Sequence, residues 1–388
     1  MGFFTYRQIL VAVLLLLIFI SCKRDNRPEW TPPRQPDEEI GFFTGMDMSY
    51  QSFLNDYEVE YYDAEGQKIS DLFKYLANNG VNLIRVRLFH TPSQSDPVVW
   101  HSNLEEVKQL CREIEDSGNN ILLDFHYSDT WADPGKQYAP AAWEGLSFAE
   151  VKDSVYSYTK YVLEELRQQN TLPYMVQIGN ETNPGFIWDY GRLGENYSNM
   201  DNFVALINSA QNAIDEIKEE TGKEVYSMVH YAGILYSNEY FEKVTAAGAR
   251  FDIIALSWYH LWHTKDIGLV RDKMLGLYQD HGKPIMIVET NYPWTLGWND
   301  HTNNWVGEES QLLEGYPATP EGQKKYLQDL VDMVKDIPKG HGLGVVWWAP
   351  DLVAFDGPQS TSGSFMENLT TFDFDNRALP VMDVFRNN

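Results

Sequence analysis

Apolar and polar positions change their period repeatedly along this chain. Short runs dominated by Val, Ile, Leu, Phe and Tyr give way to stretches where apolar residues recur every three or four positions. Eight runs read as strands: IGFFTGMDM (40–48), VNLIRVRLF (81–89), NNILLDFH (119–126), YMVQIG (174–179), EVYSMVHY (224–231), FDIIALSW (251–258), PIMIVE (284–289) and GVVWWAP (344–350). Helical spacing fills the intervals, as in DLFKYLANN (71–79), NLEEVKQLCREIEDSG (103–118), FAEVKDSVYSYTKYVLEELRQQ (148–169), NFVALINSAQNAIDEIKEE (202–220) and EGQKKYLQDLVDMVKDI (321–337). Strands alternating with helices predict an α/β protein with a parallel sheet, and eight such units predict a closed (β/α)₈ TIM barrel forming one domain over residues 41–388.

The connections divide into two kinds. Those leading from helix into strand are short and carry Gly80, Gly118, Gly222, Gly248 and Gly282, each placed to end a helix in the left-handed conformation. Those leading from the third, fourth, seventh and eighth strands into helices are long and rich in Trp, Tyr, Asn and Asp. Such elaboration at strand C-terminal ends is where barrel enzymes build their sites.

The first 40 residues follow another logic. Arg7 precedes the apolar run Ile9–Ile20, then Ser21 and Cys22, which reads as an export signal over 1–21 and is too short for a comfortable membrane span. The FISC sequence resembles a bacterial lipoprotein signal, which implies lipidation of Cys22. An uncleaved or ordinarily cleaved signal is the alternative. Residues 22–40 hold Pro28, Pro32, Pro33 and Pro36 among charges, the composition of a solvated spacer. The expected location is therefore the cell envelope, lipid-anchored at the outer-membrane surface. The second cysteine, Cys111, lies on the apolar stripe of its helix with Leu104, Val107, Leu110 and Ile114 and reads as core, so neither a disulfide framework nor a cysteine metal site is expected.

Charge narrows the partners. With 56 acidic against 30 basic residues the formal charge is −26, which repels phosphate backbones, anionic lipid and polyanionic glycans. A neutral ligand is expected, with no nucleic acid and no membrane contact beyond a lipid anchor. No long exposed apolar helix calls for a partner, so the expectation is a monomer.

Two carboxylates stand out against their surroundings. Glu181 closes VQIGNE after the fourth strand, and Glu289 closes PIMIVE at the seventh. A charge beside Val176 and Ile178 is expensive to desolvate unless it has work to do. Glycoside cleavage needs such a pair, one protonated to donate to the leaving oxygen and one ionised to meet the anomeric carbon. The alternative is an Arg-paired core salt bridge. Arg85 and Arg87 share parity on the second strand and both point inward, able to hold Glu289 ionised or to bridge Asp47 or Asp124. Most of the 12 tryptophans, Trp131, Trp347 and Trp348 among them, fall at or beyond strand C-terminal ends, where indole faces can stack on pyranose rings.

VNLIRVRLF, LLDFHYSDTWADPGKQYAPAAW (122–143), VQIGNETNPG (176–185), SWYHLW (257–262), IVETNYPW (287–294) and LGVVWWAPD (343–351) together resemble glycoside hydrolase family 53, the arabinogalactan endo-β-1,4-galactanases. The resemblance runs over nearly the whole chain from about Gly41. It implies a retaining enzyme acting on galactan side chains of pectin, with Glu181 as acid/base and Glu289 as nucleophile. It further implies that Asn180 holds the sugar's 2-hydroxyl, that Tyr259 orients the nucleophile, and that His126 lines the subsite of the cleaved sugar. Arg85, Arg87, Asp129, Trp131, Trp347 and Trp348 complete the implied substrate site, Trp348 as the platform beneath that sugar. Asn180 could instead cap a following helix, and His126 could be a core group. No cofactor is implied for catalysis.

Several members of the family tie the last two long loops together with calcium, which implies a structural Ca²⁺ held here by Asp300, His301, Asn303, Ser364 and Glu367, against ordinary solvated loop residues. The chain departs from the family pattern at Ala349-Pro350-Asp351, where Glu often precedes the Pro, and at His260, where Pro is usual; both bear on the outer subsites. Two other functions compete: a related endo-β-1,4-glycanase cutting mannan or xylan, and a non-catalytic glycan-binding lipoprotein on the same barrel.

Overall fold

A computed structural model describes residues 42–388, together with the backbone of two paired stretches, Arg34–Gln35 and Glu38–Glu39. The export segment, Cys22 and the remainder of the spacer lie outside the described residues.

Eight strands close a barrel in chain order: β1 (Phe43–Asp47), β2 (Leu83–Leu88), β3 (Asn120–Phe125), β4 (Met175–Ile178), β5 (Tyr226–Ala232), β6 (Ile253–Ser257), β7 (Ile285–Thr290) and β8 (Gly342–Trp348). Each pairs in parallel with the next, and β8 pairs with β1. The outer ring is α1 (Leu72–Asn78), α2 (Leu104–Ser117), α3 (Phe148–Gln168), α4 (Met200–Thr221), α5 (Ser237–Ala246), α6 (Ile267–His281), α7 (Pro320–Lys335) and α8 (Met382–Arg386). This is the (β/α)₈ barrel that the alternating pattern predicts.

Strand alternation explains how so polar a floor can sit in a buried sheet. Val86, Leu88, Ile121, Leu123, Val176 and Ile178 turn outward and are buried under the helices. Their neighbours Arg85, Asp124 and Gln177 turn into the barrel and bond across it. Register pairs Asp47 with Arg85, Arg87 with Asp124 and Asp124 with Gln177, so these groups lie side by side. Cys111 is fully buried in the helix–sheet core, its thiol pushed up to about 12 by burial, which leaves it unreactive.

The helices begin where their sequences direct. Asn103 accepts from the N–H groups of Glu105 and Glu106, Ser147 and Glu150 form a reciprocal capping box, Asp266 accepts from Leu269, and Thr319 caps a helix opened by Pro320. Such caps contribute about 1 kcal/mol each. The five glycines of the helix-to-strand turns all have positive φ, between 60° and 91°. Long segments follow β1, β3, β4, β7 and β8. The first of these was not anticipated from the pattern. It carries the short helix Gln51–Asn55 and brings Tyr50 to the mouth of the barrel.

Candidate active site

Arg85 organises the floor. Its guanidinium reaches Asp47 Oδ2 at 2.6 Å, Asp124 Oδ2 at 2.9 Å and Glu289 Oε1 at 2.9 Å, and it donates to Gln177 Oε1 at 3.2 Å and Asn180 Oδ1 at 3.0 Å. Burial opposes its charge, but the three carboxylates outweigh that and hold it firmly protonated. Burial likewise raises Asp124, while Arg85 and His126 overcome it and leave that carboxyl below its ordinary value. Arg85 therefore serves both ends offered by the sequence: it bridges Asp47 and Asp124 and it touches Glu289.

Glu181 enters from the end of β4 through a tight turn. Gly179 has φ +80°, and a Cβ there would meet Thr182 at 2.7 Å, so the turn requires glycine. Glu181 itself takes φ +47°, a left-handed conformation that side chains other than glycine seldom adopt, at a position where strain can be held for function. Gln137 braces the turn by donating to the carbonyls of Asn180 at 2.6 Å and Glu181 at 3.1 Å. The Glu181 carboxyl accepts from Ser257 at Oε1, 2.8 Å.

The two carboxyls have unequal company. Burial and the charge of Glu289 push Glu181 up to about 8, with Ser257 and Arg85 opposing. Glu289 is also raised by burial, with Asp47 and Asp124 adding to the rise; Arg85 and the Tyr259 hydroxyl, which donates to Oε2 at 3.0 Å, oppose it. Arg85 pulls Glu289 down as expected, but burial outweighs it and the net shift is upward. Glu289 still has a direct cation and a hydroxyl donor, whereas Glu181 has only the hydroxyl donor. Glu289 is thus the member of the pair that ionises first.

Both carboxyls line a cavity of about 630 Å³. Arg85, Arg87, His126, Trp131, Asn180, Tyr259 and Trp348, all anticipated from the sequence, line it with them. Arg87 lies 4.0 Å over the Trp131 ring. Trp305 stacks nearly parallel to Trp348, ring centres 5.7 Å apart, and Trp262 packs edge-on against Trp305 while staying half exposed. His126 accepts the Ala132 N–H at Nδ1 and lies 3.0 Å from Asp124 through Nε2, and burial lowers it, so it stands neutral with its proton on Nε2. Asn180 caps no helix. Its amide donates to Ala132 O at 2.8 Å and accepts from Arg85.

Three groups of residues fall elsewhere. Trp347 alternates away from Trp348, is fully buried against the outer helices, and spends its indole N–H on Leu369 O at 3.0 Å. Asp129 accepts the N–H groups of Thr91 and Ala141, both at 2.9 Å, and so shapes the loop after β3 from outside the cavity lining. Of the proposed calcium ligands, Asp300, Ser364 and Glu367 lie together where the two loops meet, with the Ser364 N–H 3.2 Å from Asp300 Oδ2 and the Asp300 N–H 3.4 Å from Glu367 Oε1. Asp300 accepts from Thr302 and Ser364 N–H, Glu367 Oε1 from Asn299 N–H at 2.6 Å, and the Ser364 hydroxyl is turned to Leu352 O. His301 and Asn303 face solvent. Among the described residues no group of three or more His, Cys, Asp or Glu gathers to hold a metal. Carboxylates accepting backbone N–H groups tie the two loops.

Several site residues escaped sequence reasoning: Tyr50, Gln177, His230, Ser257 and Phe365, while Trp262 and Trp305 were among the strand-end tryptophans it offered. Gln177 and His230 carried a signal, each being a polar residue inside an otherwise apolar strand run. Tyr50 and Phe365 carried none, since their loops are long and only packing selects which side chain faces inward.

A closed barrel bearing an acid-form carboxyl at the end of β4 and an Arg- and Tyr-contacted carboxyl at the end of β7, under an aromatic cavity, is a glycoside hydrolase. The sequence signature of Glycosyl hydrolase family 53 matches residues 43–385, and the chain belongs to that family. It is 34% identical over 387 residues to an arabinogalactan endo-beta-1,4-galactanase of Cellvibrio japonicus, covering 98% of this chain and 97% of that protein. The family 53 catalytic domain of Ignisphaera aggregans superposes with a TM-score of 0.82 at 32% identity, covering 90% of this chain and 97% of that one. A fungal beta-1,4-galactanase structure gives a TM-score of 0.76 at 26% identity, covering 90% of this chain and all of that one.

Proposed function

We propose that the protein is a retaining endo-β-1,4-galactanase that hydrolyses the β-1,4-galactan of type I arabinogalactan. The observation that carries this reading is the unequal pair in one cavity, Glu181 held protonated by burial and Glu289 held beside Arg85 and Tyr259. In the first step Glu289 attacks the anomeric carbon while Glu181 gives its proton to the departing glycosidic oxygen; in the second, Glu181 takes a proton from the water that releases the sugar. Asn180 lies beside Glu181 with its amide aligned by Arg85, placed to meet the 2-hydroxyl. His126 and Arg87 line the pocket of the cleaved sugar, with Trp348 as its platform, backed by Trp305. Galactan as substrate is supported by the activities of the Cellvibrio japonicus and fungal relatives.

For its location, we propose anchorage in the cell envelope, at the outer membrane, through lipid on Cys22, with residues 23–40 as the tether; the lipoprotein-like sequence of the first 22 residues supports the lipid anchor. Release of reducing ends from purified galactan, mannan and xylan tests the substrate, and proton NMR of the first products tests the stereochemistry. Cleavage of galactan alone with an initial β-anomer is expected. Cleavage of mannan or xylan in preference, or an initial α-anomer, overturns the reading.

A further inference from the structure

One buried chain of hydrogen bonds runs from the backbone of Glu181 round to its own side chain. The Glu181 N–H, which can only donate, points at His230 Nδ1 at 3.2 Å. A ring nitrogen that accepts carries no proton, so the imidazole hydrogen resides on Nε2. Nε2 lies 2.8 Å from Ser257 Oγ, and Ser257 Oγ lies 2.8 Å from Glu181 Oε1. With Nε2–H donating into Oγ, the serine's own hydrogen is free to point only onward, to the carboxyl. Gln177 supports the same tautomer: its Oε1 is fixed by Arg85, so its NH₂ is the group 3.0 Å from Nδ1. Asn180 Oδ1, 3.0 Å from the same nitrogen, receives a hydrogen from Arg85 instead. His230 and Ser257 are both fully buried, and burial and Arg85 keep His230 neutral.

We propose that His230 is a positioning residue which, through Ser257, keeps Oε1 of Glu181 as an acceptor and thereby assigns the catalytic proton to Oε2. This rests on the reading of Glu181 as the acid. The consequence is directional. A carboxyl free to carry its proton on either oxygen spends part of its time with the proton turned into the wall; a one-way donor at Oε1 excludes that form. When Oε2 gives its proton to the glycosidic oxygen, the electron pair of the breaking C–O bond moves to that oxygen. The carboxylate left behind retains the Ser257 hydrogen bond and is held in position for the water of the second step. The charged and titratable groups facing this unit are Glu289, Arg85, Asp133 and Tyr259 around Glu181, and Arg85, Asp124, His126 and His263 around His230.

The test uses the intact protein and its pH–rate profile on galactan. Ser257→Ala removes a donor to the carboxylate, so Glu181 holds its proton to higher pH: the alkaline limb is expected to move up by about one pH unit, with kcat lowered about tenfold and KM little changed. His230→Leu is expected to do the same in the wild-type background and to add little in Ser257→Ala, while His230→Gln, whose amide can accept from Glu181 N–H and donate to Ser257, restores part of the loss. Thermal melting confirms that each variant is folded. Glu181→Gln is run alongside. If Ser257→Ala leaves the alkaline limb in place while Glu181→Gln abolishes galactan cleavage, the relay is wrong and the acid stands; if Glu181→Gln retains cleavage, the acid assignment falls and this proposal with it. Additive effects of the Ser257 and His230 changes also overturn the proposal.

Discussion

The Tyr259 hydroxyl and the Glu289 carboxyl meet inside the barrel mouth, with the phenol donating to Oε2 at 3.0 Å and Arg85 holding the other oxygen at 2.9 Å. Burial and the adjacent carboxylate raise Tyr259 well above its ordinary value, so it stays a donor throughout the working pH range. Tyr259→Phe therefore removes one of the two contacts that oppose the upward push of burial on Glu289. The acid limb of the pH–rate profile is expected to move to higher pH, and kcat to fall about tenfold. A profile that keeps its acid limb in Tyr259→Phe removes the tyrosine from that role.

The pair also sets the alkaline side. In the proposed mechanism Glu181, pushed up to about 8 by burial and Glu289, must be protonated to act, so turnover is expected to fall as pH rises through that value. On the acid side Glu289 must be ionised, and because burial raises it, activity is lost at a higher pH than an ordinary carboxyl would dictate. Initial rates at saturating galactan across pH 4 to 10 measure both limbs.

Protonation matters only where the leaving group is poor. Glu181→Ala is expected to slow galactan cleavage by about 10²–10⁴-fold while sparing most of the activity on an aryl galactoside whose phenolate departs unaided. Comparing kcat on the two substrates separates this from general damage, which lowers both alike.

Glu367 ties the loops after β7 and β8. Burial raises its carboxyl, with the Asn299 N–H opposing, so the folded state favours the protonated form. A raised group contributes stability that is present below its unfolded value and lost as pH rises through the folded one. Glu367→Gln keeps an acceptor for Asn299 without the charge. It is expected to melt no lower than the wild type at pH 8, with a smaller difference between pH 4 and pH 8. Glu367→Ala leaves buried N–H groups without an acceptor and is expected to lose about 1–3 kcal/mol. Thermal denaturation of the three proteins at both pH values decides.

On the proposed anchorage, Cys22→Ser is expected to move the protein from the membrane fraction to the soluble one, because acyl chains would supply the binding. Unchanged membrane partition points instead to an uncleaved signal.

Much of this protein is written in its local sequence. The alternating strand and helix patterns determine the barrel, because side chains of a buried strand must satisfy two faces and those of a covering helix only one. The left-handed glycines and helix caps locate the turns for the same local reason. Glu181 and Glu289 were legible as strand-end carboxyls. What tertiary structure alone decided is which polar groups share a partner. Trp347 and Trp348 are adjacent in sequence, yet strand alternation sends one into the helix layer and the other into the cavity. Asp300 and Glu367 are far apart in sequence, and only loop packing brings them together, with Asp300 and Glu367 Oε1 accepting backbone N–H groups. His230 and Ser257 acquire meaning only when barrel closure brings β5 and β6 beside the end of β4, because a hydrogen bond depends on position to within a fraction of an ångström and sequence spacing does not carry that information across strands.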